Sequence, residues 1–219
     1  GGSLAQLTNG QFDAGEVYSA SFDACRGSAG AVALTGNATL TVVSAGAGVL
    51  AVNTATQNLL VALPLRTLTY NGSSSLSQTV TTNGSTNTTV NRWTSPRIEV
   101  RSVRNSGRTS TFTLSNVDLS RTFVRNGGVI SARSAGGTYT LDAVLPNGSW
   151  SITVATQGAV NYDANGVPTQ GAWTITLPDH VIGINVVPGT LTVTVDIGAD
   201  GSIDRTYVFS TATIVAEAD

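Results

Sequence analysis

The chain has 219 residues, a net charge of -2, 41% hydrophobic residues and only 11% charged ones, a balance that excludes a disordered polymer. All eleven basic residues are arginine, and there is a single cysteine, Cys25, and a single histidine, His180. A Schiff-base or P-loop lysine, an intramolecular disulfide and a zinc site of cysteine and histidine are thereby excluded.

In chain order, the opening G-G-S-L-A-Q reads as a tether or tag remnant, and residues 1–16 as that tether plus an entry segment. V-Y-S-A-S-F-D-A from residue 17 begins an alternating stretch that ends on Cys25, read as a small, partly buried thiol. Alternation then recurs in G-N-A-T-L-T-V from 36, G-V-L-A-V-N-T from 48, R-I-E-V-R-S-V-R from 97 and T-S-T-F-T-L-S from 109. It continues in G-T-Y-T-L-D-A from 137, G-S-W-S-I-T-V from 148, G-A-W-T-I-T-L from 171 and G-T-L-T-V-T-V from 189. A period of two places apolar residues on one side of a strand and serine or threonine on the other, as in a sheet with one buried and one wet face. Asn-Gly at 9, 71, 83, 126, 147 and 165 and Asp-Gly at 200 predict hairpin turns, and the glycines heading the alternating units read as turn ends. Their irregular spacing excludes a solenoid, and no window carries helical period with caps. The expected fold is all-β, an antiparallel meander forming a curved barrel-like sheet or a sandwich, essentially without helix. A single β domain is expected over 17–219, with N-R-W-T-S-P at 91–96 as the candidate hinge.

Chemistry-bearing residues are sparse. Asp196, Asp200 and Asp204 in V-D-I-G-A-D-G-S-I-D-R-T-Y surround a glycine turn in a pattern similar to calcium loops. Calcium is the one candidate cofactor, although Gly198 and Tyr207 stand where an EF-hand has further ligands and the same stretch also reads as a hairpin turn with solvated aspartates. Between residues 92 and 133 eight arginines face only Glu99 and Asp118, and Arg97, Arg101, Arg104 and Arg108 form the candidate anion patch. Arg97, Glu99 and Arg101 share one strand face, which predicts some internal pairing. Asp179 and His180, as strand neighbours, are expected on opposite faces and do not form a dyad. No G-x-S-x-G elbow is present, so the chain is read as no enzyme, with a hydrolase as a distant alternative.

The chain resembles in style the β-rich lipoproteins and secreted proteins of Gram-negative bacteria. The residues carrying the resemblance are V-Y-S-A-S-F-D-A-C from 17, L-T-G-N-A-T-L-T-V from 34, Y-N-G-S-S-S-L-S from 70 and the closing D-I-G-A-D-G-S-I-D-R-T-Y. The resemblance implies export to a periplasmic, outer-membrane-anchored or extracellular location, with a processed N-terminus as a membrane tether. It carries over no functional residue. The expected function is a non-enzymatic envelope or secreted protein that binds an apolar or anionic partner: lipid, glycan or envelope protein, and no nucleic acid. A structural or adhesive surface module, stabilised by calcium, is the alternative.

Overall fold

In the computed structural model, which describes residues 11–26, 32–163 and 166–211, the alternating stretches form thirteen strands of one antiparallel sheet. They are β1 (Val17–Arg26), β2 (Ala33–Gly46), β3 (Val49–Leu63), β4 (Arg66–Asn83), β5 (Thr86–Arg104), β6 (Thr109–Asn126) and β7 (Val129–Leu145). The rest are β8 (Gly148–Thr156), β9 (Val160–Tyr162), β10 (Pro168–Thr176), β11 (His180–Val187), β12 (Thr190–Ile197) and β13 (Arg205–Ser210). Strands β1 to β8 are neighbours in sequence order, the sheet continues through β10 to β13, and short β9 pairs with both β7 and β10. The opening tether, Asn9-Gly10 and Asn165 lie outside the described residues.

Hairpins do fall at Asn83-Gly84, Asn126-Gly127 and Asn147-Gly148, but each dipeptide straddles a strand end, the turn residues being Gly84-Ser85, Gly127-Gly128 and Pro146-Asn147. Asn71-Gly72 does not, because β4 runs through it, and Gly36 and Gly137 likewise lie inside β2 and β7 rather than at turn ends. Gly171, inside β10, departs from its turn-end reading in the same way.

The physical reason is a line of β-bulges. Strand β1 carries an extra residue between Phe22 and Cys25, β3 between Thr56 and Leu59, and β5 between Thr94 and Arg97. Strand β6 carries one between Ser115 and Asp118, so β5 and β6, both bulged, stay in register with each other. Asn58 and Asn116 within these bulges adopt left-handed backbone at φ 49° and 52°, which asparagine tolerates better than most residues. A bulge pushes its carbonyl toward the flat strand beside it, and that strand answers with a glycine. A Cβ on Gly137 would lie 1.9 Å from the Asp118 carbonyl oxygen, and one on Gly72 would lie 2.5 Å from that of Arg97. Gly36 faces Asn58 in the same way. Asn71 assists by accepting the Asn58 backbone N–H on its Oδ1 at 2.7 Å. The stretch 91–96 lies within β5, where Ser95 and Pro96 form the bulge: the proline has no N–H to leave unpaired, and Ser95 Oγ donates to the Ser73 carbonyl at 2.6 Å.

Bulges bend a strand and increase its twist, so this seam curls the sheet. One face becomes concave and apolar. The other is written largely in hydroxyls and charges, with pairs such as Thr140–Thr153 at 3.0 Å and the Arg92–Asp118 ion pair. No second layer covers the concave face among the described residues, which all belong to one sheet or its connections. Full burial is consequently scarce: among the described residues Val42, Val117, Ala143, Val160 and Val186 are the buried apolar side chains, while Leu76 and Trp150 remain exposed.

Gly137→Ala is expected to lower unfolding free energy by about 3 kcal/mol, since the new methyl group meets backbone at a positive φ. Gly84→Ala, at a turn with open space around it, should cost only about 1 kcal/mol. Urea denaturation of both variants measures the difference.

Candidate functional site

Pairing carries one row of side chains across the concave face. Val52 of β3 lies beside Leu76 of β4, Leu76 beside Trp93 of β5, Trp93 beside Leu119 of β6, and Leu119 beside Gly137 of β7. Thr156 of β8 continues the row by accepting the Gly137 N–H on its hydroxyl at 2.8 Å, and it pairs in turn with Trp173 of β10. The same glycine that accommodates the bulge therefore also leaves a gap in the row of side chains. The gap is the floor of an apolar trough of about 560 Å³, within the range of ligand pockets. Trp93 stands on one side of it and Trp173 on the other, and Tyr139, Val154 and Tyr162 extend its wall. Strands β3 and β10, six steps apart along the sheet, both reach this hollow, which a flat sheet would not allow.

Polar groups collect at the end of the trough nearest the β4–β5 and β6–β7 hairpins. Gln78 and Asn91, paired across β4 and β5, share a hydrogen bond of 2.9 Å from the Gln78 amide to the Asn91 Oδ1. Arg121 is the next residue in that row, opposite Asn91, and also lines the trough. Alternation along β6 puts Phe123 and Arg125 on the same face, and the Arg121 and Arg125 guanidinium carbons lie 5.3 Å and 5.6 Å from the Phe123 ring centre. The sequence signal for this cluster was R-T-F-V-R at 121–125, in which Arg, Phe and Arg occupy alternate positions.

The structure places the sequence-derived anion residues elsewhere. Arg97 and Arg101 project from the polar face of β5, where Arg97 Nη2 contacts Glu99 Oε2 at 2.6 Å, the internal pairing that the alternation predicted. Arg104 ends β5 and pairs in register with Arg66, and Arg108 lies in the following hairpin, where its carbonyl accepts the Arg104 N–H. Arg97, Arg101, Arg104 and Arg108 are thus divided between a strand face and a hairpin end. Also on the polar face, Arg92 reaches Asp118 through Nε and Nη2 at 2.7 and 2.6 Å, and this hydrogen-bonded guanidinium holds the Asp118 carboxyl below its ordinary pKa.

Asp196, near the end of β12, and Asp200 and Asp204 of the β12–β13 loop are turned to backbone. The nearly buried Asp196 carboxylate accepts the N–H groups of Asp200 and Gly201 at 3.2 and 2.9 Å. Asp200 accepts from Ser202 at 2.8 Å, and Asp204 from Ile197 at 2.6 Å. Among the described residues, no three acidic, histidine or cysteine side chains converge on a metal position.

Asp179 and His180 correct the expectation of opposite faces. Asp179 belongs to the turn that precedes β11, where strand alternation does not apply, and its Oδ1 lies 2.8 Å from His180 Nδ1. Hydrogen bonding from His180 lowers the Asp179 carboxyl pKa. The pair sits exposed at a hairpin end, away from the trough. No family model, no curated protein and no solved structure matches the chain.

Asp196→Ala should destabilise the protein by about 1–2 kcal/mol, because two loop N–H groups lose their acceptor. The loss is expected to be the same in excess calcium and in excess chelator. Thermal unfolding under both conditions checks this.

Proposed function

We propose that the protein is a non-enzymatic binding module that holds an apolar ligand in the trough of its concave face. The observation that carries this reading is the uncovered apolar row from Val52 to Trp173, flanked by two indoles and floored by a glycine. Contiguous apolar surface left open at a hollow marks a binding site far more often than chance, because exposing it to water costs free energy that an occupant recovers. The catalytic alternative has less support: the His180–Asp179 pair lies outside the trough, and among the described residues neither side chain has a hydroxyl or thiol partner. We further propose that the protein works outside the cytoplasm, as a periplasmic, outer-membrane-anchored or extracellular carrier or receptor. Its hydroxyl-rich polar face and its sequence style support that placement.

The neutral fluorophore N-phenylnaphthylamine tests the binding reading. Its emission should rise saturably with the wild-type protein, and Leu119→Asp, which sets a charge beside Trp93, should weaken the interaction by about tenfold or more. An unchanged thermal midpoint in that variant would assign the loss to the trough. Absence of a saturable signal with wild-type protein would overturn the reading in favour of a structural surface module.

A further inference from the structure

We propose that the trough has an anion-binding end formed by Arg121, Arg125 and Arg133, so that its occupant is an amphiphile with an anionic head and an apolar tail. The inference rests on the trough reading and adds the chemical class of the ligand. Arg133 of β7 is the register partner of Phe123 on β6 and of Tyr162 on β9. Its neighbour two residues on, Ala135, and its partner Tyr162 both line the trough. With Arg121 and Arg125 packed around the same Phe123 ring, three guanidinium groups gather at one end of an apolar hollow.

None of the three forms an ion pair among the described residues, whereas Arg92 and Arg97 pair with Asp118 and Glu99 on the polar face. Asp163, the residue after Tyr162, directs Oδ1 to the Val167 N–H at 2.9 Å. Arg133 Nε is buried and has no hydrogen-bond acceptor. A buried charged donor without an acceptor bears its full desolvation cost, and among the described residues no hydrogen bond from an acidic side chain reaches Arg133 Nε. A planar guanidinium edge offers two parallel N–H donors, matched to the two oxygens of a carboxylate. The apolar row then accepts the chain attached to that carboxylate, with Trp93 and Trp173 on either side. A phosphate head would meet the same donors, and the shared chemistry is an anionic head on an alkyl tail.

Isothermal titration of the whole chain with dodecanoate, dodecanol and inorganic phosphate, each also against Arg133→Gln, tests the proposal. Wild-type protein should bind dodecanoate at least about tenfold more tightly than dodecanol, and the difference should shrink as salt is raised. Arg133→Gln should bring dodecanoate affinity down to that of dodecanol and leave dodecanol unchanged. Arg121→Gln provides a second variant should Arg133→Gln fail to fold. Equal affinity of wild-type protein for dodecanoate and dodecanol would overturn the anionic end while sparing the apolar trough. Binding of neither would overturn both. Tight binding of inorganic phosphate with no added gain from an alkyl tail would overturn the coupling of the arginines to the trough.

Discussion

The close approach of bulged and flat strands along one line of the sheet is the constraint on which the rest of the structure depends. Each extra residue in β3, β5 or β6 drives a carbonyl toward its neighbour, and glycine at 36, 72 or 137 is what lets the two backbones meet. The resulting bends accumulate across adjacent strands in the same sense, so a sheet that would otherwise present a flat apolar face becomes a curved one. Curvature gives the apolar residues partial shelter without a second layer. It also leaves a recess at Gly137, where one side chain is missing from the row.

A single curved layer explains why so few side chains are completely buried in a chain of this size. Apolar residues such as Leu76 and Trp150 retain substantial exposure, since no second layer covers them among the described residues. At the outer edge, all six residues of β13 are exposed, including Tyr207 and Phe209. Stability then comes mainly from ladders of backbone hydrogen bonds and same-face neighbours on strands of up to 19 residues. The charge distribution follows the same division into faces. Acidic partners accompany Arg92 and Arg97 on the wet side, while Arg121, Arg125 and Arg133 on the concave side have none among the described residues.

Much of the architecture was legible in the sequence, because the period of two in stretches such as G-S-W-S-I-T-V fixes which face each residue occupies. Turn dipeptides locate the hairpins to within a residue, as at Asn83-Gly84, where the asparagine closes the strand pair with Thr86 and the turn itself is Gly84-Ser85. Asn71-Gly72 carries the same letters for another reason: the asparagine caps a bulge on β3, and the glycine yields to a bulge on β5. Local sequence does not distinguish these cases, since the bulges that decide between them lie on other strands. The trough was hidden for a related reason. Val52, Trp93, Leu119 and Trp173 are far apart in the chain, and only register brings them into one row. Density of charge along the chain points to residues 97 to 108, whereas strand face sets Arg121, Arg125 and Arg133 around Phe123.

Quenching of tryptophan fluorescence by a brominated alkyl alcohol would test most directly whether the curved face holds a ligand. Bromine quenches on contact, and Trp93 and Trp173 line the trough while Trp150 does not. Saturable quenching of wild-type protein, abolished when Trp93 and Trp173 are both changed to phenylalanine and Trp150 is retained, is the predicted result. Quenching that is not saturable, or that persists unchanged on Trp150 alone, would contradict an open trough as the functional centre of this sheet.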